Sequence, residues 1–136
     1  MDTVSRLTVH IVWSTKYRHP VLKGDIQKRR RSILIQVCDV EGATILKGVV
    51  SKDYVHMHIE YRPSQDVSTL VKKIKGRSSG KLQAEFPELK KRYWGRHFWV
   101  IGFGCWSMGN ITDKMVNEYL GHHPNSGNDT DAFILE

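Results

Sequence analysis

The run Asp53-Tyr54-Val55-His56-Met57-His58-Ile59-Glu60-Tyr61 sets the apolar residues Val55, Met57, Ile59 and Tyr61 against the polar residues His56, His58 and Glu60. A period of two is the mark of a half-buried β-strand. Residues two apart on a strand leave the same face. An apolar ladder therefore fills one side of a sheet, and both imidazoles stand on the other. Two histidines so placed can close on one divalent metal ion, because neutral imidazole is a good ligand. An isolated His-x-His step is more often a pair of polar residues on a solvated sheet face, and two ligands alone do not make a site.

The rest of the chain supplies the partners of that strand. Leu7 to Trp13 alternates well enough for a first strand, and Pro20 biases His19 away from helix. Between Asp25 and about Glu41, Ile26, Ile33, Leu34, Val37 and Cys38 recur at helical spacing, with Gly42 placed to stop the helix. Ala43 to Val50 predicts a second strand, joined through Ser51-Lys52-Asp53 to the histidine strand as a hairpin. Val67, Leu70, Val71, Ile74, Leu82 and Phe86 mark a second helix, weakened by Gly76 and Gly80 and ended by Pro87. Trp94 to Trp106 predicts one bent strand or two short ones, broken near Gly102 or Gly104. Ile111 to about His123 predicts a third helix, which Pro124 does not let continue.

The order β-α-β-β-α-β followed by a helix predicts an α+β fold: a ferredoxin-like antiparallel sheet with helices on one face, plus a C-terminal helix carrying a tyrosine. Residues 1–123 are expected as a single domain. Residues 124–136 are expected as a polar tail that can dock through Phe133-Ile134-Leu135.

Charge narrows the partners. The 136 residues include 21 Lys and Arg against 14 Asp and Glu, a formal +7. That excess favours an anionic partner, nucleic acid before a membrane surface. No apolar run approaches the ~18 residues a membrane span needs, and Met1-Asp2-Thr3-Val4-Ser5 lacks the features of a secretion signal. Cys38 and Cys105 form no CxxC pair, which argues against a disulfide framework and a cysteine zinc site. A cytoplasmic, reducing location is expected.

The basic residues cluster as Lys28-Arg29-Arg30-Arg31, as Lys72, Lys73, Lys75, Arg77 and Lys81, and as Lys90-Lys91-Arg92 next to Tyr93-Trp94. A charge run is usually a solvated face. Three in one small domain, one beside aromatics, point to phosphate-backbone contacts and to base stacking on single strands.

Tyr119 and His123 are four apart and share a face of the predicted third helix, with His122 as a substitute. A phenol with a pKa near ~10 attacks poorly unless a base or cation helps it, so a tyrosine beside a metal-binding histidine is a nucleophile arrangement. The ordinary alternative packs Tyr119 against Met115 and leaves the histidines at the negative end of the helix dipole.

Taken in order, several segments resemble one family. They are Ser14-Thr15-Lys16-Tyr17-Arg18 after the first strand, Lys52-Asp53 before the histidine strand, and Leu70 to Ser79 with its Lys-Gly-Arg-Ser-Ser. Lys91-Arg92-Tyr93-Trp94-Gly95, the aromatic strand, and Tyr119 followed by His122-His123 complete the series. Over nearly its whole length the chain is similar to the HUH-type single-tyrosine transposases of minimal bacterial insertion sequences, the IS200-like TnpA class. The resemblance implies a homodimer acting on single-stranded DNA with hairpins. It implies an Mg²⁺ or Mn²⁺ ion held by the strand histidines and by a side chain four residues after the tyrosine, here His123. It implies that Tyr119 attacks a DNA phosphate to give a 5′-phosphotyrosine and a free 3′-hydroxyl, and that a second transesterification rejoins the ends. Lys16, Tyr17, Arg18, Arg29, Arg30, Lys72, Lys73, Lys75, Arg77 and Lys81 are the expected DNA-gripping residues.

One departure matters. The family pattern is Asp-His-hydrophobe-His, and anchoring on Asp53 aligns Tyr54 with the first histidine and His56 with the second. Tyr54, His56 and His58 share a face. Either the site has slid along the strand to use His56 and His58, or the chain is an impaired or domesticated relative that binds hairpins without cleaving them.

Overall fold

The computed structural model describes residues 7–16, 20–92, 98–107, 113–121 and 131–134; for Arg92, Asp113 and 131–134 it describes the backbone only. The elements in chain order are β1 (Leu7–Ser14), α1 (Asp25–Val40), β2 (Thr44–Val50), β3 (Tyr54–Tyr61), α2 (Val67–Glu85), α3 (Pro87–Arg92), β4 (Gly104–Trp106), α4 (Asp113–Leu120) and β5 (Asp131–Ile134). The sheet has the order β4-β1-β3-β2-β5, and every pairing in it is antiparallel. Its first four strands and two crossover helices make the ferredoxin-like arrangement.

Alternation decides which side each strand buries. Val9, Ile11 and Trp13 of β1 lie opposite Ile59, Met57 and Val55 of β3. All six are buried, and they form one core with Ile33, Leu34 and Val37 of α1 and Leu70, Val71, Ile74 and Leu82 of α2. Both long helices therefore cover the same side of the sheet. The N-terminus of α2 is fixed by Asp66, whose carboxylate accepts from the Thr69 backbone N–H at 3.0 Å. Hydrogen bonds from Thr69 hold the Asp66 carboxyl below its ordinary pKa. The helix runs through Gly76 and Gly80 without a break.

Pro87 closes α2 by opening α3, at the first helical position where its missing N–H is no loss. The aromatic segment is two pieces rather than one strand. β4 pairs with β1 from His10↔Trp106 to Val12↔Gly104, and an isolated bridge joins Thr15 to Trp99. Three steps along β1 thus face five along the partner. The surplus is taken up at Ile101–Phe103, where Gly102 has φ 96°. The carbonyls of Val100 and Gly102 accept from Lys75 Nζ at 2.6 and 2.7 Å.

The other face of the sheet is partly covered as well. Val12 and Tyr54 form a second buried cluster with Val116 of α4, and Val49, Trp106 and Leu120 pack against it. At the far edge, β5 pairs with β2 from Lys47↔Ile134 to Val50↔Asp131.

Met57 is fully buried in a central strand. Met57→Ala is expected to lower stability by about 2–5 kcal/mol in a denaturant titration, from lost transfer energy plus the cavity left behind.

Candidate functional site

Two rows of side chains cross the face opposite the long helices. One row runs Trp106, His10, His58, Lys47, and the next runs Gly104, Val12, His56, Val49. The half-buried His56 and His58 therefore stand on one face, as the alternation predicts. They have a companion that sequence reasoning missed. His10 of β1 is only 8% exposed. Its Nδ1 lies 3.2 Å from His56 Nε2, and its ring is stacked on that of His58, with centroids 4.0 Å apart and planes 6° from parallel. Burial lowers the pKa of His58, which favours its neutral form. The alternation of β1 places His10 on the polar face, but only the register of β1 on β3 tells that it meets two histidines there.

Tyr119 is brought to this face by α4. Val116, one helical turn earlier, is 4% exposed and docks on Val12 and Tyr54. The Tyr119 ring then meets Trp106 edge-on, with centroids 5.7 Å apart and planes at 85°. It lies close over Gly104. A Cβ at position 104 would fall 3.0 Å from Tyr119 Cε1 and 2.6 Å from Trp106 Cη2, so glycine leaves the room the aromatic pair fills. Gly104 and His56 are two strands apart, about 10 Å by the usual interstrand spacing, with Val12 between them. Tyr119 keeps 42% exposure, and partial burial raises its phenol pKa.

The helix stops short of the expected third ligand. α4 ends at Leu120, and Gly121 takes φ 72° with its N–H on the carbonyls of Asn117 and Glu118. His122 and His123 lie outside the described residues, as do Tyr17, Arg18, Tyr93 and Trp94. Among the described residues, no three His, Cys, Asp or Glu side chains are placed to hold a metal ion as they stand. Tyr54, 8% exposed, packs beneath α4 on the histidine face.

The expected DNA-gripping residues divide. Lys72, Lys73 and Lys81 are exposed on α2, in the helical layer across the sheet from the histidines, and Lys16 is half-buried at the end of β1. Arg30 is not on that surface. It is 1% exposed, and its guanidinium donates to the Leu22 carbonyl. Arg29 is paired with Glu85 at 2.7 and 2.9 Å, which raises the arginine pKa and lowers that of the carboxyl. Arg77 is paired with Glu41. Lys75 holds the two carbonyls at the break before β4. Half-burial pushes its pKa down to about 8, and the carbonyl acceptors work against that shift by favouring the ammonium form.

A ferredoxin-like sheet thus carries histidines and a helix-borne tyrosine on its second face, in a chain whose family the comparisons show. The chain belongs to the IS200-like transposases, whose family profile matches residues 3–123. It is 34% identical over 113 residues to the transposase of insertion sequence IS200 from Salmonella typhimurium, covering 83% of this chain and 74% of that protein. It is 28% identical over 117 residues to the ISDra2 transposase TnpA of Deinococcus radiodurans, covering 86% and 84%. A crystal structure of a candidate transposase from Deinococcus radiodurans superposes with a TM-score of 0.80 at 28% identity, over 89% of this chain and 93% of that one. A REP-associated tyrosine transposase bound to a REP hairpin shares the fold, with a TM-score of 0.55 at 16% identity over 90% and 68%.

Gly104→Ala is expected to displace the Trp106–Tyr119 pair, at a cost of about 1–3 kcal/mol from overpacking. The near-UV circular dichroism of the aromatics should change while the far-UV spectrum stays the same. An unaltered near-UV spectrum would count against this packing.

Proposed function

We propose that this transposase cleaves and rejoins single-stranded DNA by transesterification at Tyr119. The observation that carries the reading is the placement of the Tyr119 ring over Gly104 and Trp106, on the sheet face that holds the histidines. The phenol loses its proton to water, and its oxygen bonds to phosphorus. The bond from phosphorus to the 3′-oxygen breaks, and that oxygen takes up a proton as the free 3′-hydroxyl. A 5′-phosphotyrosine remains, and attack by another 3′-hydroxyl reverses the step to join new ends. The histidine face, with His56 and His58 as the strand ligands of the resemblance and His123 as its third, would hold Mg²⁺ or Mn²⁺. That ion supplies Lewis-acid polarisation of the scissile phosphate when bound. The 3.2 Å approach of His10 Nδ1 to His56 Nε2 fits such an ion, as two imidazole nitrogens converge there.

Burial of Tyr119 sets a requirement. A raised phenol pKa makes the phenoxide scarcer at neutral pH and more nucleophilic once formed. Adduct formation is therefore expected to rise with pH through the alkaline range.

The partner in this reading is single-stranded DNA with hairpins, bound by a homodimer. A DNA strand crossing the β4 edge would pass from Lys72 and Lys73 on α2 to Tyr119 on the opposite face. The hairpin held by the REP-associated transposase supports hairpin DNA as the probe. The location proposed for such a reaction is the cytoplasm. No helix among the described residues is long and apolar enough to cross a membrane.

A second reading rests on Tyr54, which replaces the family histidine and is buried with Val12 and Val116. In it the chain binds hairpins without cutting them. Incubation with a labelled single-stranded hairpin and Mn²⁺ separates the two. The transposase reading expects a covalent adduct that Tyr119→Phe abolishes, whereas tight binding without adduct selects the binder. A sharp gain of cleavage in Tyr54→His would mark a damaged enzyme. Independently, Lys72→Ala with Lys73→Ala is expected to flatten the salt dependence of DNA binding. The slope of log K against log salt should fall by about 0.7 for each phosphate that is no longer neutralised.

A further inference from the structure

His10 stands on a different strand from the two histidines that the sequence singles out, yet the tightest approach in the cluster is its own. Its register partner is His58, while His56 is opposite Val12, so His10 and His56 are diagonal neighbours. Their nitrogens, Nδ1 and Nε2, are 3.2 Å apart. Metal–ligand bonds of about 2.1 Å at angles of about 90–110° put two ligand atoms about 3.0–3.4 Å apart. The observed spacing thus matches the edge of a coordination polyhedron. It is also at the long end of a nitrogen–nitrogen hydrogen bond, the arrangement two imidazoles take when they share a proton.

Ring planes separate the possible ligand pairs. An imidazole nitrogen offers its lone pair in the plane of the ring, so an ion bound by two imidazoles lies near the intersection of their planes. The rings of His10 and His56 are inclined at 41°, and such planes meet. Those of His10 and His58 are 6° from parallel and stacked with centroids 4.0 Å apart, so they do not meet near the rings. In this arrangement His10 and His58 cannot both serve one ion. His58 can instead hold the ring of His10 in place by lying flat against it, with Trp106 as the cross-strand neighbour on the other side.

We propose that the strand-borne ligands for the divalent ion in this chain are His10 through Nδ1 and His56 through Nε2, and that His58 is a positioning residue stacked behind His10. The inference rests on the metal-dependent reading above and changes its ligand set. A histidine from β1 takes the place that Tyr54 does not fill. The pair is diagonal across two strands instead of successive along one.

Mn²⁺ titration of the DNA-free protein, followed by loss of the free-ion electron paramagnetic resonance signal, tests the assignment without any catalytic readout. His10→Gln and His56→Gln are each expected to weaken Mn²⁺ binding at least about tenfold, whereas His58→Phe, which keeps a flat ring, changes it less than about threefold. Strong loss in His58→Phe with none in His10→Gln overturns the proposal and restores the successive pair. Absence of Mn²⁺ binding by the wild-type protein at millimolar concentration also overturns it. Because His10 is buried, a thermal melt of each metal-free variant accompanies the titration. Should His10→Gln fail to fold, wild-type protein carrying ¹⁵N-histidine decides with Zn²⁺ as a diamagnetic probe. Coordination shifts of His10 Nδ1 and His56 Nε2, with both nitrogens of His58 unmoved, support the assignment, and shifts at His58 in place of His10 refute it. A Tyr119 adduct formed without His10-dependent metal binding defeats this inference alone. His10-dependent binding without an adduct defeats the cleavage reading alone.

Discussion

The register of β1 on β3 is the constraint from which the rest of the molecule follows. Val9, Ile11 and Trp13 meet Ile59, Met57 and Val55 on the side covered by α1 and α2, and each of the six is at most 2% exposed. A slip of one residue would turn the three on the strand that moved to the opposite face. The cost would be the burial of several large side chains, each worth about 1.5–3 kcal/mol. The same register sets His10 against His58 and Val12 against His56. The apolar core thereby fixes which polar groups meet on the far side, although it touches none of them.

The β4 edge carries the second half of the arrangement. Two surplus residues between the Thr15–Trp99 bridge and β4 remove the carbonyls of Val100 and Gly102 from the ladder. Lys75 recovers both with one ammonium, reaching from the helical layer to the sheet edge. Beyond that break the strand resumes with a glycine, and Gly104 leaves space for the rings of Trp106 and Tyr119. The tyrosine is therefore located by a helix that docks through Val116 and by an edge strand whose first residue has no side chain. Neither contact is strong alone. Together they place a half-exposed phenol on the histidine face while keeping it open to solvent.

How legible this was in the chain depends on the range of the interaction. β1, β3, α1 and α2 announce themselves by periodicity, because each buries one face against a single core. The break before β4 was visible as Gly102, but its partner, Lys75, lies 27 residues earlier in the chain. Arg30 was legible in hindsight. It falls on the stripe of Ile26, Ile33, Leu34 and Val37 and is buried with them, whereas the charge-run reading counts it with Arg29 among the residues that grip DNA. The apolar pattern places the end of the last helix at about His123, whereas α4 ends at Leu120 and Gly121 takes a positive φ. His10 was hidden because cross-strand pairing is a tertiary fact. Its own segment shows it only as one polar residue among Thr8, His10 and Ser14 of an alternating strand.

Tyr54 ties these observations together. A histidine at that position would lie opposite Ser14, at the end of the face where β1 runs out. The tyrosine instead packs with Val12 and Val116 and helps seat α4. One strand repeat separates Tyr54 from His56, about 6–7 Å, and the next reaches His58. A ligand face that starts at His56 is therefore displaced toward the row that holds His10, His58 and Trp106. The Tyr119 ring abuts Trp106, in that same row. In the proposed reading that face brings imidazoles and a phenol together, and Tyr54 serves as the footing of the helix that carries the nucleophile.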